Sequence, residues 1–313
     1  MALVVVPFLP STLTMDPTLL QSAAFDATSH QSHPAGSLYV VATPIGNLAD
    51  LSLRAVHVLA KVVAAVACED TRVSAALLRH IGVQRPLMAL HAHNEAEAAG
   101  NVIARLAAGE SVAYISDAGT PAVSDPGARL VAAVVAAGHP VVPVPGPSSA
   151  LAALSVAGDV NGAGFAFVGF LPAKGGERRE ALAAVLAAST TQVVFEAPHR
   201  IEALVETLAE GAPKRRVTLC RELTKQFETV HTAEAAALPS WLAADANRIR
   251  GEFVLVLHAL PPVAAADEAL SPTAKHTLAV LQRELSLKQA VALAAEISGA
   301  PRNALYQHAL AQR

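Results

Sequence analysis

Cysteine is nearly missing from this 313-residue chain. Cys68 and Cys220 lie far apart with no C-x-x-C spacing, which excludes a disulfide framework or a zinc knuckle and fits a reducing cytoplasm. Charge is sparse too, 16% against a typical ~25%. A formal net charge of −3 argues against a uniformly basic nucleic-acid coat. Apolar residues reach 53%, yet every apolar stretch is broken before the ~18 residues of a membrane span, as by His57 and Lys61 or by His139 and Pro140. No membrane partner is expected. No G-x-G-x-x-G follows the first predicted strand and no G-x-x-x-x-G-K-[ST] occurs, so the usual phosphate cradles are absent.

What is present divides the chain into parts. Residues 1–36, rich in Ser, Thr, Pro and His, show no sustained apolar period and read as a disordered extension. Pro7 and Pro10 interrupt the apolar start, which lacks the basic segment of a secretory signal. Over 37–158, β-branched runs (Leu38–Val41, Val62–Cys68, Leu87–Leu90, Val112–Ile115, Val141–Val144) alternate with Ala/Leu-rich segments of helical length. This predicts an α/β domain with a mostly parallel, doubly wound sheet. Over 159–262, runs at 165–170, 192–195, 217–220, 227–231 and 253–258 predict a second α/β domain. Its sheet is mixed, because strand follows strand directly around 221–228. A linker over 263–270 leads to a helical tail over 271–313, with Gly299 stopping one helix and Pro301 opening the next.

Five polar loops each follow a predicted strand: 43–50 (TPIGNLAD), 69–72 (EDTR), 116–127 (SDAGTPAVSDPG), 145–149 (PGPSS) and 196–200 (EAPHR). Carboxyl ends of strands in open α/β sheets are where ligands bind. Turn chemistry alone accounts for any single loop; Asp125 before Pro126 reads as a helix cap, and Pro147 as a helix start. Prolines 44, 121, 143, 145 and 147 remove backbone donors, which suits an anion badly. A cationic sulfonium with an amino-acid end needs no such cradle. Carbonyl oxygens and a carboxylate such as Asp117 face positive charge, and glycines allow close approach.

These loops also carry a resemblance. YVVATPIGNLAD (39–50), CEDTR (68–72), HAHNE (91–95), SDAGTPAVSDPG (116–127), VPGPSS (144–149), FLPAK (170–174), EAPHR (196–200), RELTK (221–225) and GEFV (251–254) together resemble the ribosomal RNA small subunit methyltransferase I family, of the tetrapyrrole-methylase superfamily. The match runs in order over about 37–260, and 287–306 resembles the family's helix-turn-helix-like end. The resemblance implies two α/β domains of the tetrapyrrole-methylase type, S-adenosylmethionine in the cleft between them, and usually a homodimer. It implies 2′-O-methylation of a cytidine ribose in the decoding region of 16S ribosomal RNA in the small subunit. Cofactor contacts would fall on Ile45, Gly46, Asp117, Gly119, Thr120, Ser148 and Ser149, and more weakly on Phe170, Leu171, Ala197 and Pro198.

Methyl transfer to a ribose hydroxyl is an in-line displacement at carbon that a positioned base assists. Glu69, Asp70 and Glu222 are the candidate bases; Arg72, Arg221 and Lys225 are candidates for holding the RNA or lowering the hydroxyl's pKa. Ion pairing within each motif is the competing role. His91 and His93 lack a clear third ligand, so no metal is expected. Trp241 reads as a packing residue. RNA contact has to come from local charge: the tail from Ser271 has five Lys/Arg against two Asp/Glu, and Lys174, Arg178 and Arg179, with Lys214, Arg215 and Arg216, form basic clusters. Two other readings remain: a methyltransferase for a tetrapyrrole-like small molecule, and a non-catalytic, ribosome-associated S-adenosylmethionine-binding module.

Overall fold

A computed structural model describes residues 16–91, 94–261 and 270–311, so His93 and the expected linker, apart from Leu270, lie outside the described residues. The expected disorder over 1–36 does not extend through its second half: α1 (Pro17–Thr28) is a helix with Asp16 as its cap, the carboxylate accepting from Thr18 N–H at 2.8 Å. Composition hid this helix because tertiary contacts hold it. Ala24 is fully buried, and the Gln21 amide donates to the Ile81 and Gly82 carbonyls at 2.8 and 3.0 Å.

The first sheet contains β1 (Leu38–Val41), β2 (Ala65–Cys68), β3 (Leu87–Ala89), β4 (Val112–Ile115) and β5 (Val141–Val144) in the order β3-β2-β4-β1-β5, all parallel. Between them run α2 (Leu53–His57), α3 (Thr71–His80), α4 (Glu95–Ala107) and α5 (Ala128–Ala136). The two-residue alternation of the strands sorts the core: Tyr39, Val41, Ala113 and Ile115 pack with α1, α2 and α3, while Leu38, Val112 and Tyr114 pack with α4 and α5.

The next helix, α6 (Ser149–Ala157), leaves that sheet and covers one face of the second, where Ala150, Ala153 and Ala157 meet Val193, Val254 and Val256. Small residues on α6 let the two units approach closely. The second sheet has β6 (Phe165–Phe170), β7 (Thr191–Glu196), β8 (Arg216–Arg221), β9 (Thr229–Glu234) and β10 (Phe253–Leu257), ordered β6-β7-β10-β8-β9. Only β6 and β7 are parallel; the others pair antiparallel, and β8–β9 is the expected direct succession. Its other face is covered by α7 (Gly175–Ala187), α8 (Ile201–Gly211) and α9 (Leu238–Ala243). A separate core holds α10 (Pro272–Leu281), α11 (Leu287–Ser298) and α12 (Arg302–Ala311) together. Gly299 ends α11 in the left-handed region at φ 70°, as its sequence position predicts. Among the described residues no helix is long and apolar enough to cross a membrane.

Where α1 returns to β1, the His33 and His57 rings lie 5.0 Å apart, and Phe25 and Tyr39 stand beside them. His33 Nε2, His57 Nδ1 and Arg54 Nε are enclosed without hydrogen-bond partners. Burial is the main cause holding both imidazoles below the usual 6.5; Arg54 adds to this at His33, and His33 and Lys61 add to it at His57. The unfolded chain therefore binds protons that the folded one refuses. Stability is full above about pH 6.5 and declines as pH falls through 6.5 toward the folded-state values. We predict that Tm falls on acidification from pH 7.5 to 5.5, and that His57→Phe, which keeps the ring packing, flattens that slope in a calorimetric pH series.

Candidate functional site

Loops at the carboxyl edge of the first sheet are tied to one another rather than folded separately. Thr43 and Gly119 exchange backbone hydrogen bonds of 2.9 and 3.0 Å, extending the contact between β1 and β4 past the strand ends. The Thr43 hydroxyl donates to Ser116 O at 3.1 Å, Asp70 N–H to Asp117 Oδ1 at 3.1 Å, and the Thr120 hydroxyl to Pro147 O at 3.0 Å, next to Ser148 and Ser149. Gly119 has φ +85°, and a Cβ there would stand 3.3 Å from Ile45 Cγ2. Ile45, Gly119 and the 145–149 turn thus share one wall.

The carboxylates of this edge differ in their partners. Asp70 caps α3 and also grips Arg72, Oδ2 accepting from Nη2 at 2.6 Å; the Arg72 hydrogen bonds hold its pKa down to about 2. Arg72 is otherwise exposed. Glu69, Asp117 and Asp125 are half-buried, and burial is the first cause raising all three. Neighbouring carboxylates add to it: Asp117 and Asp125 act on Glu69, Asp70 on Asp117, and Asp117 on Asp125. Glu69 makes no side-chain hydrogen bond among the described residues.

Asp125 is not the helix cap its place before Pro126 suggested. α5 starts at Ala128 with Gly127 at its cap, φ +123°, because any side chain at 127 would run into the Tyr114 ring. The capping oxygen comes from α4 instead: Glu95 Oε1 accepts from the N–H groups of Gly127, Arg129 and Leu130 at 3.1, 3.1 and 3.3 Å. From the sequence, Glu95 reads as a cap of its own helix or a residue lining the cleft; a partner more than thirty residues away leaves no local signal.

The 43–50 loop presses directly on the turn between β8 and β9. A Cβ on Gly46 would collide with Lys225 Cγ and stand 2.9 Å from Thr224 Oγ1 and 3.1 Å from Leu223 O. Ile45 packs in the same apolar cluster as Leu223 and Val254. In that turn Glu222 Oε1 accepts from Lys225 Nζ and from Glu252 N–H, both at 2.9 Å, while Lys225 lies 3.2 Å from Glu252. Arg221 donates to Arg250 O at 2.6 Å and to Phe227 O at 3.0 Å. Arg221, Glu222 and Lys225 therefore brace the turn. No hydrogen bond or ion pair among the described residues joins them to Glu69, Asp70 or Arg72.

On the second sheet, Phe170 is half-exposed and packs edge-on to Phe195 with centroids 5.4 Å apart; Leu171 is core, Ala197 buried and Pro198 exposed. Glu196 is fully enclosed and bound by Arg178 at 2.8 Å and Arg200 at 2.5 Å. Arg178 is therefore not free for phosphate, and neither is Arg215, which is buried and donates to the carbonyls of His258, Val185, Leu186 and Thr190. Lys174, Arg179, Lys214 and Arg216 remain exposed. Trp241 is sandwiched between His231, stacked at 4.2 Å, and Arg248 at 4.4 Å. Among the described residues no three potential metal ligands cluster.

Comparison with known proteins gives the same architecture. Residues 37–239 match the family model of Tetrapyrrole (Corrin/Porphyrin) Methylases, and 268–313 match the RsmI C-terminal HTH domain. The chain is similar to Ribosomal RNA small subunit methyltransferase I of Escherichia coli O157:H7, with 47% identity over 91% of this chain and 99% of that one. It is also similar to the protein of that name from Neisseria meningitidis serogroup B, with 50% identity over 88% and 93%. Among solved structures, cobalt precorrin-4 methyltransferase shares the fold at TM-score 0.53, with 17% identity over 73% of this chain and 98% of that one. Uroporphyrin-III C-methyl transferase from Thermus thermophilus, complexed with S-adenyl homocysteine, does so at 0.50, with 19% identity over 71% and 97%.

The enclosed Glu196 is expected to dominate local stability. Glu196→Ala leaves two guanidinium groups without their carboxylate, and denaturant unfolding should show a loss of about 3–5 kcal/mol.

Proposed function

The chain belongs to the ribosomal RNA small subunit methyltransferase I family of tetrapyrrole methylases, and on that premise we propose that it transfers a methyl group to the 2′-hydroxyl of a cytidine in the decoding region of 16S RNA. It is an S-adenosylmethionine-dependent ribosomal RNA methyltransferase. The residues present fit that donor. Gly46 lets the 43–50 loop close on the 223–225 turn and Gly119 lets the 116–127 loop close on Ile45, and Asp117 with Glu69 and Asp125 sets negative charge at that edge, among loops whose prolines leave few backbone donors. Ile45, Gly46, Asp117, Gly119, Thr120, Ser148 and Ser149 would hold it, with Phe170, Ala197 and Pro198 on the second sheet. Bound there, S-adenosylmethionine supplies an electrophilic methyl carbon on a cationic sulfur.

The chain's own chemistry is then proton removal and alignment. Of the three candidate bases, Asp70 is committed to Arg72 and the α3 cap, and Glu222 to Lys225 and Glu252 N–H. Glu69 is left. Its carboxylate, half-buried and facing Asp117 and Asp125, is the more basic for that surrounding, and it takes the 2′-hydroxyl proton as the oxygen attacks. This is the observation that carries the assignment. Arg72, exposed at the same edge, holds the RNA backbone.

The basic three-helix tail, with Lys275, Arg283, Lys288 and Arg302, supplies the sequence-independent attraction to RNA that a chain of net charge −3 otherwise lacks. We assign the protein to the cytoplasm, acting as a homodimer on the small ribosomal subunit. Incubation with labelled donor and small subunits lacking the modification tests the reading: label in a ribose 2′-O-methyl supports it. Label in a small molecule makes it a tetrapyrrole-type enzyme, and donor retention without transfer makes it a binding module.

Glu69→Gln should lower the single-turnover rate about 10²–10⁴-fold with donor affinity unchanged. In wild type the acid limb of the rate profile should lie above the ordinary 4.5 of a glutamate, because the raised carboxyl must lose its proton to act. An unchanged rate in the variant would assign the base elsewhere.

A further inference from the structure

The turn between β8 and β9 is strained and braced, and most of its side chains are spent on holding its own shape. Glu222 and Thr224 are both left-handed, φ +52° and +67°, a conformation that costs residues other than glycine and that folded chains keep where a fixed shape is used. Lys225 pairs with Glu222 at 2.9 Å and with Glu252 at 3.2 Å, and Thr224 N–H donates to Glu228 Oε2 at 2.6 Å. Leu223 is core. Arg221 closes the far side, its Nη1 donating to Phe227 O at 3.0 Å and to Thr229 Oγ1 at 3.3 Å.

What this frame presents to solvent is Gln226 and Phe227. Phe227 is 66% exposed, and the Gln226 side chain is exposed and unpaired among the described residues. A ring held out by a fixed backbone loses little further freedom when another flat apolar surface covers it, so it is a preformed contact. With its other side the same turn closes on Gly46, which sets Phe227 at the joint between the units, beside the loop assigned to the donor. The charges of this region balance, Arg221, Lys225 and Arg250 against Glu222, Glu228 and Glu252. A phosphate site needs an excess of positive charge. An aromatic face with an amide beside it, in neutral surroundings, suits a nucleobase, which offers a π-face and a hydrogen-bonding edge.

We propose that Phe227, with Gln226 beside it, is a stacking platform for an unpaired base of the RNA strand whose ribose is methylated. This rests on the reading of ribosomal RNA as the substrate. Every base has a π-face, so the platform steadies the strand next to the donor without reading its sequence, and it adds to the phosphate attraction of the tail rather than sharing in it.

The test uses the full chain and small subunits lacking the modification, with KM and kcat read from labelled methyl transfer, S-adenosylhomocysteine Kd from calorimetry and mass from light scattering. Phe227→Ala should raise KM for small subunits about 5- to 100-fold while S-adenosylhomocysteine Kd stays within about 2-fold and Tm within about 2 °C of wild type, because the ring is outside the core and the donor seat. The salt dependence of KM should not change, since no phosphate contact is lost. Phe227→Trp should stay within about 3-fold of wild type, and Phe227→Leu, apolar but without a ring face, should resemble the alanine variant. An unchanged KM in Phe227→Ala, or a leucine variant equal to wild type, overturns the proposal. So does a Phe227→Ala protein whose oligomeric mass falls, because the ring then joins protein chains. Failure of the wild type to label ribosomal RNA instead overturns the RNA reading, and this inference with it.

Discussion

The close approach of Gly46 to the Leu223–Lys225 turn is the constraint on which the two-part architecture depends. A loop leaving the first sheet and a turn joining two strands of the second touch through backbone, with no room for a side chain on one side. α6 carries the chain from one sheet onto the other, and its alanines set the spacing at which that touch occurs. That joint is therefore built from both units at once. Neither sheet alone presents Gly119, Asp117 and the 222–225 turn around the same loop.

Around that joint the protein separates groups that support from groups available for chemistry. The enclosed ion pairs at Glu196 and the Glu222–Lys225–Glu252 clamp hold loops in place, and Glu95 caps a helix it does not belong to. Buried Asp159 plays a like part past the end of α6: its Oδ2 accepts from the Thr191 hydroxyl and Ala259 N–H, both at 2.7 Å, fixing where the chain enters the second unit. Against these committed carboxylates, Glu69 has burial and like charge around it but, among the described residues, no hydrogen bond to hold its oxygens. Low dielectric and neighbouring negative charge make such a group a better base than an exposed glutamate.

Much of the fold was legible because its strands are short, β-branched and separated by helices of ordinary length. β1, β4, β5 and β6 fall where the apolar runs place them. The apolar run Val62–Cys68 is longer than the strand it contains, since 58–62 winds as a π-turn that continues α2 before β2 begins at Ala65. The fourth run of the second sheet begins before its strand does: Phe227 is exposed in the turn and β9 starts at Thr229. The helix at 17–28 is not legible in the sequence because its stability comes from one buried alanine, a glutamine amide and a histidine pocket, none of which produces a periodic pattern.

The sequence by itself determined the order of strands and helices, the sheet edge at which the polar loops gather, and the proline-rich chemistry that suits a cation better than a phosphate. These follow from local periodicity and from which residues can donate a backbone hydrogen bond. Only the tertiary structure decided what each charged residue does. Asp70 with Arg72, Glu222 with Lys225, and Glu196 with Arg178 and Arg200 are all both-sign motifs or clusters that read alike on paper. Burial and the geometry of partners brought from distant parts of the chain separate a brace from a base, because an ion's free energy depends on its whole surroundings and not on its neighbours in sequence.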